Sequence, residues 1–134
     1  MTLTFLRILT AYGALVVLTA SPALAHHFFP RASDAPVSIV GTVTKFEMKN
    51  PHSRVLVDVR DSTGKVSSWE IELGSIGALT GRGWQRDSLK AGDIITVAAV
   101  LGIGKANLAA AREVSLPDGR VIFGGSHAGD MPQR

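Results

Sequence analysis

The chain has 134 residues, enough for one domain, with a net charge of +3 and no cysteine. Without Cys there are no disulfide staples, thiolate zinc sites, Cys nucleophiles or blue-copper ligands. The basic residues are scattered rather than gathered into a run or stripe, which argues against a nucleic-acid partner.

The first 25 residues differ from the rest. Arg7 is followed by an apolar run from Ile8 to Leu18, then by Ser21-Pro22 and Ala23-Leu24-Ala25. A positive start, a short apolar segment and an A-x-A ending are the parts of a secretory signal peptide. The run is shorter than the ~20 apolar residues of a spanning helix. An uncleaved anchor is the alternative, but the small residues stand where signal peptidase cuts. Cleavage is therefore expected after Ala25. No Cys follows the small residues, so anchoring as a lipoprotein is excluded. The mature chain is expected in the periplasm or outside the cell, with no stable membrane anchor. It keeps about a hundred residues and a nearly balanced charge, and must hold its core by burial alone.

Residues 26–36 read as an irregular lead-in, limited by Pro30 and Pro36. Residues 37–124 form the folded domain, and residues 125–134 a frayed tail. The domain starts with a strand from Val37 to Phe46, rich in branched residues. Gly41 inside it marks a bulge or sharp bend. Asn50-Pro51-His52 breaks the chain: Pro51 fixes φ and keeps Asn50 extended, and the Asn50 side chain can bond its own backbone. A second strand runs from Arg54 to Arg60, with Val55, Val57 and Val59 on one face. After the Asp61–Gly64 turn, a third runs from Ser67 to Leu73. There Trp69, Ile71 and Leu73 point one way, and Glu70 and Glu72 the other. Ser75 can cap a short helix that ends at Gly81 or Gly83. Ile94 to Leu101 is apolar on both faces and reads as a central strand. Leu108 to Leu116 and Arg120 to Phe123 flank Pro117-Asp118-Gly119, a tight-hairpin signature.

No helix is long enough to cross between parallel strands, so the sheet is expected to be mainly antiparallel. A small sheet removes its edges by closing. The order predicts a mainly β, OB-like antiparallel barrel of five to six strands, with one short helix between the third and fourth strands. An open β-sandwich is the alternative.

The histidines are His26, His27, His52 and His127. The sequence carries no His-Glu-x-x-His motif, no Gly-x-Ser-x-Gly elbow and no phosphate loop. No catalytic constellation is recognised, so the chain is not read as an enzyme. Glu70 and Glu72 resemble a carboxylate pair but read as a solvated face. His26 is different, because cleavage would make it the mature N-terminus. Its α-amine and ring Nδ1 could then chelate one metal, with His27 or His52 adding an imidazole. A nitrogen-rich set of this kind favours copper(II). It resembles the histidine brace of copper monooxygenases and of some periplasmic copper carriers. Asn50 and His52 lie on the first inter-strand loop, part of the usual ligand face of an OB-like barrel. Trp84, if exposed, would join them in contacting a ligand. The alternative to a metal site is a non-metal module that binds a periplasmic protein, a glycan or a small ligand.

The stretches "AHHFFP", "VSIVGTVTKFEMKNPH", "SSWEIELGS", "LTGRGWQRDSLKAGDIITV" and "LPDGRVIF" resemble an uncharacterised family of small secreted bacterial proteins. Such proteins carry Ala-His-His-Ser after the leader, a Gly-Thr-Val…Asn-Pro-His block, and Gly-Trp…Ser-Leu-Lys-x-Gly-Asp. The likeness spans nearly the whole mature chain. This sequence departs from it at Phe28, where Ser is usual, and at Met48, where Trp is usual. The resemblance implies export and a compact domain, and it implies no mechanism.

Overall fold

The computed structural model describes residues 35–125. The leader, most of the lead-in and the tail lie outside them, and so do His26, His27 and His127.

Six strands and one short helix follow in the order β1 (Val37–Glu47), β2 (Arg54–Arg60), β3 (Val66–Glu72), α1 (Ile76–Thr80), β4 (Ile94–Leu101), β5 (Leu108–Ser115) and β6 (Val121–Phe123). The expected mainly β, OB-like order is the one observed. The strands lie in the sheet order β3-β2-β1-β4-β5-β6, and β3 also pairs with β5. That added pairing closes β1 to β5 into a barrel, with β6 as an extra strand, and so removes the open sandwich.

The closing seam is parallel, through Glu70↔Leu108, Ile71↔Ala109 and Glu72↔Ala110, whereas the other pairings are antiparallel. The barrel is therefore mixed. A parallel pair needs a long crossover, but the crossover need not be one helix. Here α1, its connector and β4 itself carry the chain from β3 to β5.

Strand β1 does two jobs. Residues 37–42 pair with β4, and residues 42–47 pair with β2. Ile39, Gly41 and Val43 point inward by two-residue alternation. The bulge falls on Thr44, because Val43 faces Val57 and Lys45 faces Leu56. One extra residue flips the parity of the strand. Phe46 and Met48 then pack against the core, and Lys45 and Glu47 face outward. Gly41 has another task. A Cβ there would sit 3.1 Å from both Asp58 O and Val57 Cβ, so its bare backbone lets β1 approach β2 closely.

Inside the barrel lie Val55, Val57, Ile71, Ile95 and Val97, with small Ala99, Ala109 and Ala111 toward the closing seam. β4 is central, held by β1 on one side and β5 on the other. The α1 helix begins at Ser75, whose Oγ accepts from Ala78 N, and its C-cap is Gly81. Leu79 of α1 then joins Leu73, Trp84 and Leu89 in the same core cluster. The last hairpin turns at Gly119 (φ 86°), where Asp118 Oδ1 accepts from Arg120 N.

Candidate functional site

The loop between β1 and β2 carries Asn50 and His52, two residues the sequence singles out. The Asn50–Pro51 peptide bond is cis. Asn50 does not bond its own backbone as expected. Its Oδ1 instead accepts from Ile76 N at 3.0 Å, in the first turn of α1. The first amides of a helix have no partner within it, and Asn50 satisfies one of them.

Ser53 fastens the loop, and sequence reasoning did not find it. It is completely buried. Its Oγ donates to Lys49 O and accepts from Lys49 N, both at 3.2 Å. Its backbone N donates to Gly74 O at 2.9 Å, and its carbonyl accepts from Leu73 N at 2.8 Å. A buried hydroxyl needs such partners to offset its lost hydration. The loop is thus tied to both the end of β3 and the start of α1.

His52 projects from this anchored loop with its side chain 30% exposed. Its Nδ1 lies 2.8 Å from Glu72 Oε1. Glu72 pairs in register with Arg54 of β2, just beyond the loop. The two carboxylates that alternation places on one face therefore part company. Glu72 turns to His52, while Glu70 contacts Arg54 and Lys105. A solvated-face reading foresees neither partner, because the partners come from other elements.

Next to His52 and Glu72 runs a chain of ion pairs. Lys45 Nζ is 2.7 Å from Glu47, Arg54 Nε also bonds Glu47, and Arg54 Nη1 reaches Glu70 at 3.5 Å. Lys105, from the β4–β5 loop, completes the row on Glu70. The hydrogen bond from Lys45, then that from Arg54, lowers the Glu47 carboxyl to about 2. Lys105 chiefly holds Glu70 below the usual carboxylate range, and Glu47 chiefly raises the Arg54 guanidinium. The cations of this face are matched by its own acids, which is not the character of a phosphate-binding stripe.

The depressed carboxyl predicts a pH effect. Glu47 contributes stability above its ordinary value of 4.5, and the contribution is lost as pH falls toward 2. Glu47→Gln is expected to lower stability at pH 7 and to flatten its decline between pH 4.5 and 2, with a smaller difference in high salt. Urea unfolding at several pH values checks this; parallel curves for the two proteins would refute it.

Trp84 stands apart from the other candidates. It is 1% exposed, its Nε1 donates to Phe123 O at 2.9 Å, and its ring centroid lies 5.5 Å from that of Phe46. The ring is therefore a core side chain and not the exposed contact that a ligand role would need.

Among the described residues no group of three or more His, Asp or Glu converges to hold a metal. A site of the expected kind would need His26 and His27, which lie outside them. Of the expected ligand set, His52 is the member that the described residues contain, and its Nδ1 lies against Glu72. The chain matches no curated protein and no solved structure. A family model does match residues 14–107, a span that takes in His26, His27, Asn50, His52, Ser53, Glu72 and Trp84 and ends before β5. The chain belongs to that family, described as a family of unknown function (DUF6152).

Proposed function

We propose that this protein is an exported metal-binding module, with copper(II) as the preferred ion. The mature N-terminal His26 supplies its α-amine and ring Nδ1, and His27 and His52 supply imidazoles. The observation that carries this reading is His52: a partly exposed imidazole on a loop fastened by Asn50 and Ser53, with its Nδ1 against a carboxylate. A ligand held this way loses little freedom when it binds. An all-nitrogen set matches copper(II), which heads the affinity order of the divalent first-row ions.

Covalent reach supports bringing these residues together. Val37 lies eleven positions after His26, a span of up to ~36 Å when extended. β1 leads from Val37 to the His52 loop over a comparable length, ~33 Å at strand rise. The lead-in is therefore long enough to carry His26 to His52.

The test uses cleaved protein whose N-terminus at His26 is confirmed by intact mass. Copper(II) titration followed by paramagnetic resonance is expected to give one tight site with nitrogen hyperfine structure. His26→Ala should abolish tight binding. One extra residue ahead of His26, which removes the α-amine, should weaken it severely. Absence of stoichiometric binding by the cleaved protein overturns the reading.

A further inference from the structure

We propose that Glu72 is a positioning residue for the metal ligand His52: it fixes the ring as the Nδ1–H tautomer and leaves Nε2 as the donor. The inference rests on the proposed metal reading and adds the atom that binds and the residue that orients it.

The argument starts from proton inventory. An ionised carboxylate has no hydrogen to give. At 2.8 Å from Glu72 Oε1, a bare Nδ1 lone pair would face the carboxylate's own and be repelled, so Nδ1 is the ring nitrogen that carries the hydrogen. In a neutral imidazole only one nitrogen is protonated, so the lone pair lies on Nε2. Metal-bound histidines commonly donate their other N–H to a carboxylate, which orients the ring and raises its basicity.

Rigidity on both sides makes the contact more than a passing surface pair. Glu72 sits where β3 is paired twice, to Arg54 of β2 and to Ala110 of β5. His52 precedes Ser53, whose backbone bonds to Leu73 and Gly74 directly after Glu72. Donor and acceptor thus descend from one braced junction. Both side chains are about three-quarters shielded, at 30% and 24% exposure, so water competes only in part for their contact. The neighbouring ion pairs leave Glu72 to this task, because Arg54 is engaged by Glu47 and Glu70.

The test has two arms on the cleaved full chain, with folding verified by thermal melting. In the metal-free protein, nitrogen-resolved NMR of His52 is expected to report the Nδ1–H tautomer, and Glu72→Ala should shift it toward Nε2–H. In the copper arm, Glu72→Ala should bind about 10–100-fold more weakly. Glu72→Gln, which keeps an acceptor but loses the charge, should fall between. Should Glu72→Ala not fold, the Gln variant alone carries both arms. Unchanged copper affinity in a folded Glu72→Ala protein overturns the assignment. If the wild type itself binds no copper, the metal reading falls, and the tautomer arm alone decides whether Glu72 orients the ring: persistence of Nδ1–H in Glu72→Ala then refutes it.

Discussion

Gly74→Ala is expected to destabilise the domain by about 3 kcal/mol or more, at the upper end for a one-carbon insertion. The added Cβ would lie 2.1 Å from Gly125 O and 2.7 Å from Gly125 C. Both are backbone atoms, so no rotamer change can relieve the clash. Gly74 also joins three parts of the fold. Its N–H donates to Gly124 O, just past β6, and its carbonyl accepts from Ser53 N at the start of β2, both at 2.9 Å. Moving Gly125 aside would strain the first of these bonds. It would also disturb Gly124, where a Cβ would meet Ala111 at 2.6 Å. Gly77→Ala is the matched control. It lies in α1 with open space around its would-be Cβ, and should gain up to about 1 kcal/mol from helix propensity. For a domain of this size, each 1 kcal/mol moves the midpoint by roughly 4–8 °C. Thermal melting should therefore separate the two alanine variants by well over 10 °C. A Gly74→Ala protein that melts within a few degrees of wild type would mean that the Gly74–Gly125 approach is not tight.

The consequence reaches the candidate site. Ser53 hangs from Gly74, and His52 precedes Ser53. A shift at Gly74 therefore passes to the imidazole through Ser53. The docking of the chain after β6 onto the end of β3 and the placement of His52 depend on the same few backbone bonds.

What the sequence discloses and what it hides divide along one physical line. Local chemistry was legible. The alternation of Trp69, Ile71 and Leu73 against Glu70 and Glu72 gave β3 and its inner face. Ser75 gave the helix cap, and Asp118-Gly119 gave the hairpin. Pairings between distant residues were not legible. The parallel seam joins Glu70 to Leu108 and needs knowledge of where α1 and β4 send the chain. A glycine attracts attention as a bend, yet the bulge is at Thr44, where nothing in the residue type announces it. The site divides in the same way. Asn50 and His52 stood out by residue type and setting, but Asn50's partner is 26 residues away and Glu72 looked like one more solvent-facing acid. Ser53 carried no signal at all, since an isolated serine becomes a fastener only through what is folded against it.

Trp84→Ala is expected to cost about 3–5 kcal/mol, the usual loss for a large buried aromatic. The ring packs against Phe46 within the core cluster that also holds Leu73 and Leu79, and truncating a side chain this buried leaves a cavity. Trp84→Phe isolates a second contribution. It keeps most of the apolar contact but removes the donor to Phe123 O, leaving a carbonyl that the fold had satisfied. That loss is worth about 1–3 kcal/mol. Stability in urea should therefore rank wild type above Trp84→Phe and Trp84→Phe above Trp84→Ala. The Phe variant also decides the role of the residue. A core side chain that touches no ligand can be replaced by Phe without changing copper affinity in the folded protein. Stability close to wild type combined with lost affinity would return Trp84 to the ligand surface. Its 1% exposure and its bond to the end of β6 argue for the opposite result.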